Sequence, residues 1–108
     1  LSLLQYRFNG NGLYLLDEPE AALSPTRQLA VLALMHKLVN ANSQFIIATH
    51  SPILLAYPNA RTLRFSETGI DEVSYEETDN YRVSKDFFEH REQMLLVLLE
   101  EENEPDGL

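Results

Sequence analysis

Residues 12–25 read Gly-Leu-Tyr-Leu-Leu-Asp-Glu-Pro-Glu-Ala-Ala-Leu-Ser-Pro, in which an apolar run is followed directly by charged residues. Residues 13–16 are a short run of the kind that fills a strand buried on both faces. The run ends in Asp17 and Glu18, which Pro19 follows. Because proline cannot donate to a sheet ladder and disfavours a helical residue before it, we expect both carboxylates where the strand leaves the sheet.

A second stretch, residues 44–52, Gln-Phe-Ile-Ile-Ala-Thr-His-Ser-Pro, repeats this design and places His50 after its apolar run. Residues 25–40 between the two stretches predict a helix, with the Ser24 hydroxyl as its N-cap. The apolar positions of this helix cover more than one stripe, so we expect it to lie largely covered against the sheet. A strand, a helix and a strand at this spacing predict a right-handed βαβ unit with parallel strands. Asp17, Glu18 and His50 should therefore converge at one edge.

These motifs resemble a known class of nucleotide hydrolase. Four apolar residues followed by Asp-Glu are similar to the Walker B strand of a P-loop nucleotide hydrolase, and residues 21–24, Ala-Ala-Leu-Ser, are similar to the D-loop of ABC-type ATPases. Thr49-His50 falls where that class carries its H-loop histidine. The residues of these motifs are more similar to those of soluble "predicted ATPase" relatives of the overcoming-lysogenization-defect and chromosome-maintenance proteins than to those of transporter subunits. The resemblance covers roughly residues 12–65.

The resemblance implies an α/β, P-loop NTPase-like fold, with a partial parallel sheet and flanking helices, that binds ATP and Mg²⁺. It implies that Asp17 binds the metal, which fits because nucleotide-bound Mg²⁺ takes only one or two protein carboxylates. Glu18 would then orient the attacking water and accept its proton, and His50 would donate to a γ-phosphate oxygen. Ser24 has two compatible roles, as a helix cap and as a D-loop contact across a dimer interface.

Each of these residues also has a simpler interpretation. Asp-Glu-Pro on its own is an acidic turn, and a histidine at a strand end is ordinarily structural. The surrounding motifs favour the functional interpretation for His50, whereas His36 and His90 lack such a context and are expected on the surface. A two-metal nuclease using Asp17 and Glu18 is a weaker alternative, because no further carboxylate sits at a matching strand end.

Several motifs of the resembled family are absent from the sequence: the Walker A lysine, the Q-loop glutamine and the signature motif. In relatives they precede the Walker B strand. We therefore expect residues 1–99 to be the C-terminal portion of an ABC-type ATPase domain that acts with a missing N-terminal part, as a homodimer in the complete protein. The alternative is a non-catalytic interaction module that pairs through its open sheet edge. Glu20 in place of the usual Thr, and Ser24 in place of the D-loop Asp, depart from the transporter pattern.

Composition narrows the partners and the compartment. The formal net charge of -9 argues against broad contact with nucleic-acid phosphate. Without cysteine there is no disulfide framework, which fits a reducing cytoplasm. No apolar run approaches the length of a bilayer span. The 108 residues favour one domain, long enough for a core.

The ends of the chain carry weaker signals. Residues 1–8 are the end of a helix or an edge strand, and periodicity cannot decide between them. Residues 9–12, Asn-Gly-Asn-Gly, predict a turn before the first buried strand. Residues 61–65 and 70–75 alternate in the strand period and predict a hairpin. Two helices broken near His90 follow, and residues 100–108 are expected to form an acidic, solvated tail.

Overall fold

The computed structural model describes residues 2–8 and 11–103. It is mixed α/β, with five strands and three α-helices in this part of the chain. The strands are β1 (Ser2–Phe8), β2 (Asn11–Asp17), β3 (Gln44–Ala48), β4 (Thr62–Ser66) and β5 (Gly69–Val73). The helices are α1 (Pro25–Asn40), α2 (Asp79–Glu89) and α3 (Arg91–Asn103), with short 3-10 helices at Pro19–Ala22, Leu54–Ala56 and Tyr75–Glu77.

The first three strands form one sheet in the order β1-β2-β3. Strand β2 runs parallel to β3 and antiparallel to β1. The predicted strand-helix-strand unit with parallel strands is therefore confirmed, and the N-terminal segment takes the strand alternative. Residues 9–10 of the expected turn lie outside the described residues, whereas Asn11 and Gly12 already belong to β2.

Helix α1 has the ends that the sequence predicts. The Ser24 hydroxyl accepts a hydrogen bond from the Arg27 backbone N–H at 3.2 Å, and proline occupies the first turn. The helix ends at Asn40, and Asn42 follows with a positive φ of 70°. Asparagine tolerates this left-handed conformation, which turns the chain towards β3.

The expectation that α1 is largely covered was wrong. Met35 is 5% exposed, but Leu29 and Leu34 are 57% and 54% exposed. In β3, Phe45 and Ile47 are half-buried while Ile46 between them is 57% exposed. Because alternate residues of a strand point to opposite faces, this alternation means that β3 is covered on one face only. The core is correspondingly small in the described part, where Met35, Leu54 and Val73 are the buried apolar side chains with Pro19.

The C-terminal half follows the predicted order. Strands β4 and β5 form an antiparallel hairpin, and α2 and α3 meet at His90. Helix α3 continues to Asn103 and so includes residues from the expected start of the acidic tail. No helix in the described ranges is long and apolar enough to cross a membrane.

Candidate functional site

The parallel strands β2 and β3 end side by side. Asp17, the last residue of β2, pairs with Ala48, the last residue of β3. The Glu18 backbone N–H then donates to the Ala48 carbonyl at 2.7 Å, which carries the pairing one residue further. The structure therefore brings the predicted positions Asp17, Glu18 and His50 to one edge of the sheet. Carboxyl edges of parallel strands are where α/β proteins bind their ligands.

Glu18 adopts an unusual backbone conformation. Its φ of 46° and ψ of 55° lie in the left-handed region. This conformation costs about 1–2 kcal/mol for a residue other than glycine. Pro19, which is fully buried, disfavours the right-handed helical alternative for the residue before it. Such strained positions are found at functional sites more often than elsewhere, because the surrounding structure must hold them.

Glu20 ties the two strand ends together. One oxygen of its carboxylate accepts a hydrogen bond from the Thr49 hydroxyl at 2.5 Å, and the other accepts from the His50 backbone N–H at 2.9 Å. We refer to these two bonds as the Glu20 clamp. The sequence marked Glu20 only as a departure from the transporter pattern and gave it no role. The available sequence signal for a role of Glu20 was its position directly after Asp-Glu-Pro, in the loop expected to face Thr49-His50.

The clamp favours the ionised form of Glu20. Partial burial acts to raise the pKa of the Glu20 carboxyl, but the hydrogen bonds from Thr49 and from the His50 backbone outweigh it. The pKa of this group therefore lies below its ordinary value. Glu20 is a carboxylate at neutral pH and accepts both bonds.

A second tie involves Gln28 of α1 and Ser51, both of which are buried. The Ser51 hydroxyl donates a short hydrogen bond to the Gln28 side-chain carbonyl, and the Gln28 amide donates to the Leu23 carbonyl at 3.2 Å. The same Ser51 oxygen accepts from the backbone N–H groups of Ile53 and Leu54. The loop after β2 and the loop after β3 are thus joined at two points. Sequence analysis missed Gln28, because its helical pattern gives no sign of a partner in the next loop.

The His50 side chain is exposed, and its ring makes no hydrogen bond with the described residues. Its backbone is held on both sides, by Glu20 at the N–H and by Asn80 of α2, whose amide donates to the His50 carbonyl at 2.8 Å. The carboxylates of Asp17 and Glu18 are also exposed, and neither forms an ion pair within the described ranges. Three chemically active groups at this edge are therefore open to a ligand.

The remaining candidate residues lie away from the strand ends or act as caps. Ser24 is exposed and caps α1. His36 is exposed and its ring contacts the Tyr57 hydroxyl at 3.0 Å, and His90 lies at the end of α2 beside Asp86. Both histidines are on the surface, as expected.

The predicted cation ligand at this edge is the exposed carboxylate of Asp17. The described residues contain no group of three or more His, Cys, Asp or Glu side chains that could hold a metal by themselves. A single exposed carboxylate at Asp17 matches Mg²⁺, which keeps most of its waters and takes its other ligands from phosphate. The same finding gives no support to a two-metal nuclease.

The structure is that of a mixed α/β protein with exposed polar groups at the carboxyl ends of two parallel strands, the edge at which α/β proteins bind their ligands. A family model described as an AAA ATPase domain matches residues 1–55, which include β1, β2, α1 and β3. The chain belongs to this AAA ATPase domain family, and an ATPase-related role follows from membership. No solved structure matches the chain. The hairpin and helices α2 and α3 lie beyond the family match.

Proposed function

We propose that this chain is the C-terminal part of a soluble ABC-type P-loop ATPase and supplies its Walker B strand, D-loop and H-loop. Residues 1–99 belong to the ATPase domain, and the segment after them is an acidic extension. The observation that carries the proposal is the edge at which Asp17 pairs with Ala48, so that Asp17 and Glu18 lie beside Thr49 and His50. Its place of action is the cytoplasm.

Each group at the edge has a role set by its chemistry. Asp17 holds Mg²⁺, which when bound neutralises phosphate charge. Glu18 orients a water and accepts its proton. Its backbone is strained, as residues at functional sites often are. His50 donates a hydrogen bond to a γ-phosphate oxygen from an exposed ring whose backbone is held by Glu20 and Asn80.

Ser24 lies at the end of the D-loop segment, where it caps α1 and remains exposed. In the complete protein it contacts a second copy across a homodimer interface. Leu23, its neighbour, is tied through Gln28 to Ser51. A contact made at Ser24 can therefore affect the position of the loop that carries His50.

The groups that bind the β- and γ-phosphates come from another part of the ATPase. None of the 4 glycines precedes a lysine, and the formal net charge is -9. Backbone amides and a lysine provide most of the hold on the β- and γ-phosphates in P-loop proteins. Three carboxylates at one edge repel a triphosphate unless a cation and such a loop offset them.

The test is ATP turnover by the complete protein. We expect the reading frame upstream of Leu1 to encode a Gly-Lys-Ser or Gly-Lys-Thr loop, and the purified product to release phosphate from Mg-ATP. A start codon with nothing further upstream, together with no turnover, would contradict the proposal.

A second candidate function is a non-catalytic interaction module, favoured by the outer edge of β3. Strand β3 is last in the order β1-β2-β3, and Ile46 in it is 57% exposed. An unpaired apolar edge is a template for pairing with another chain. If this function is the correct one, the isolated chain self-associates in light scattering, Ile46→Lys reduces that association, and Mg-ATP changes neither. Leu63→Lys, at an exposed position of the hairpin, is the matched control.

A further inference from the structure

Residues 74–80, which lie beyond the family match, contact the loop that carries His50. Asn80 donates its side-chain amide to the His50 carbonyl at 2.8 Å. Tyr75 donates its hydroxyl to the Pro52 carbonyl at 2.6 Å. Two carbonyls of the loop, two residues apart, are thus held by one neighbouring segment. We call residues 74–80 the latch segment.

The latch segment is itself well fixed. Ser74 and Glu77 form a capping box, in which the Ser74 backbone N–H donates to the Glu77 carboxylate at 2.8 Å. Thr78 is 6% exposed, and its hydroxyl donates to the Tyr75 carbonyl at 2.7 Å. The rings of Tyr75 and Tyr81 lie 4.7 Å apart. These internal bonds hold the short segment that presents the Tyr75 hydroxyl and the Asn80 amide to the loop.

The same loop is also held by the part of the chain that the family model matches, which we call the ATPase core. Glu20 binds the Thr49 hydroxyl and the His50 N–H, and Gln28 binds Ser51. The His50 ring has no hydrogen bond with the described part of the chain, so the contacts here fix the His50 backbone and with it the Cα–Cβ bond from which the ring extends. The core fixes the N–H side of His50 and the latch segment fixes its carbonyl side.

We propose that Asn80 and Tyr75 are positioning residues that hold the backbone of the His50 loop and so place the His50 ring at the site. This inference rests on the proposed function, in which His50 donates to the γ-phosphate. It adds that the C-terminal segment is coupled to hydrolysis: displacement of the latch segment turns the His50 backbone and weakens that donor. Neither Asn80 nor Tyr75 touches the nucleotide.

The experiment compares Asn80→Asp and Tyr75→Phe in the complete ATPase. Asn80→Asp keeps the shape of the side chain but replaces the donor with an oxygen that repels the His50 carbonyl. Tyr75→Phe removes only the hydroxyl. We expect each variant to lower kcat about fivefold, which corresponds to about 1 kcal/mol in the activation free energy, while the ATP dissociation constant stays unchanged.

The matched controls are Asn40→Asp and Tyr81→Phe. Asn40 is exposed on α1, and among the described residues its side-chain amide bonds to His36 only, whereas the Tyr81 hydroxyl has no hydrogen bond with them. Both controls should retain the wild-type kcat. If Asn80→Asp fails to fold, Tyr75→Phe decides the question, because its ring packing is kept.

A second measurement separates this inference from the proposed function. This chain has 3 histidines, and the imidazole resonances that disappear in His50→Ala identify those of His50, which can then be followed in each variant. We expect Asn80→Asp and Tyr75→Phe to shift the His50 resonances and the controls to leave them in place. Unchanged His50 resonances and an unchanged kcat would overturn the inference. A wild-type protein without turnover would overturn the proposed function instead, and the resonances would still test the latch.

Discussion

Glu20 accepts a hydrogen bond from the His50 backbone N–H at 2.9 Å, although 30 residues separate them in the chain. This bond crosses from the loop after β2 to the loop after β3. Together with the bond from the Thr49 hydroxyl, it holds the two ends of the parallel strands at a fixed distance from each other. The Glu20 carboxylate thus adds two side-chain bonds to the backbone pairing and the Gln28–Ser51 bond that also join these strand ends.

The first prediction concerns the pH dependence of stability at Glu20. Because its pKa in the folded chain is lowered from 4.5, the ionised carboxylate stabilises the fold above that value. This stabilisation should be lost as the pH falls through the lower pKa of the folded state. Glu20→Gln should lower the free energy of unfolding by about 1 kcal/mol at pH 7, and the difference from wild type should shrink below pH 4.5.

Urea denaturation between neutral pH and about pH 3 measures this difference. Glu67→Gln is the control, because Glu67 lies in the turn between β4 and β5 and no hydrogen bond to its side chain is present in the described structure. A gap between wild type and Glu20→Gln that stays constant with pH would contradict the clamp.

The second prediction concerns the strained backbone of Glu18. Glycine adopts a φ of 46° without the clash that a Cβ atom causes, so Glu18→Gly should be about 1 kcal/mol more stable than Glu18→Ala. Ala33→Gly is the control with the opposite sign. Ala33 lies in the middle of α1, where glycine lowers the stability by about 1 kcal/mol relative to alanine. Thermal or urea unfolding of the three variants shows whether the sign reverses. Equal stability of the two Glu18 variants would mean that the site stores no strain.

The third prediction separates the roles of the neighbouring carboxylates. In the complete protein, Glu18→Gln should retain Mg-ATP binding and lose turnover, because it keeps the shape of the side chain but cannot accept a proton. Asp17→Asn should also weaken the metal-dependent part of binding. Calorimetric titration with and without Mg²⁺, alongside phosphate release, gives both quantities. Normal turnover in Glu18→Gln would rule out the role assigned to Glu18.

The fourth prediction concerns the His50 ring. His50→Ala should lower turnover on the order of a hundredfold, as removal of an oriented donor to a developing charge does in other enzymes. The ring is exposed, so the free energy of unfolding should change by no more than about 0.5 kcal/mol. His36→Ala serves as the control for turnover, since its ring contacts Tyr57 away from the strand ends. A large fall in melting temperature with activity intact would assign His50 a structural role.

The sequence by itself determined the elements whose signals are local. The apolar runs at 13–16 and 45–48 became β2 and β3, and Ser24 with proline after it began α1 where a cap and a fixed φ favour a helix start. The hairpin and the break near His90 followed from alternation and turn chemistry in the same way. Each of these features is set by interactions within a few residues, so a single sequence contains them.

Tertiary structure decided which distant side chains meet. In the Glu20 clamp, the bonded residues are 29 and 30 positions apart in the sequence. Asn80 and His50 are also separated by 30 positions. No local pattern encodes these pairs, because a carboxylate or an amide has the same propensity whichever partner it later finds. The same holds for exposure: α1 has an apolar pattern suited to burial, yet Leu29 and Leu34 remain open, because burial depends on which surfaces are present to cover a helix and not on the helix itself.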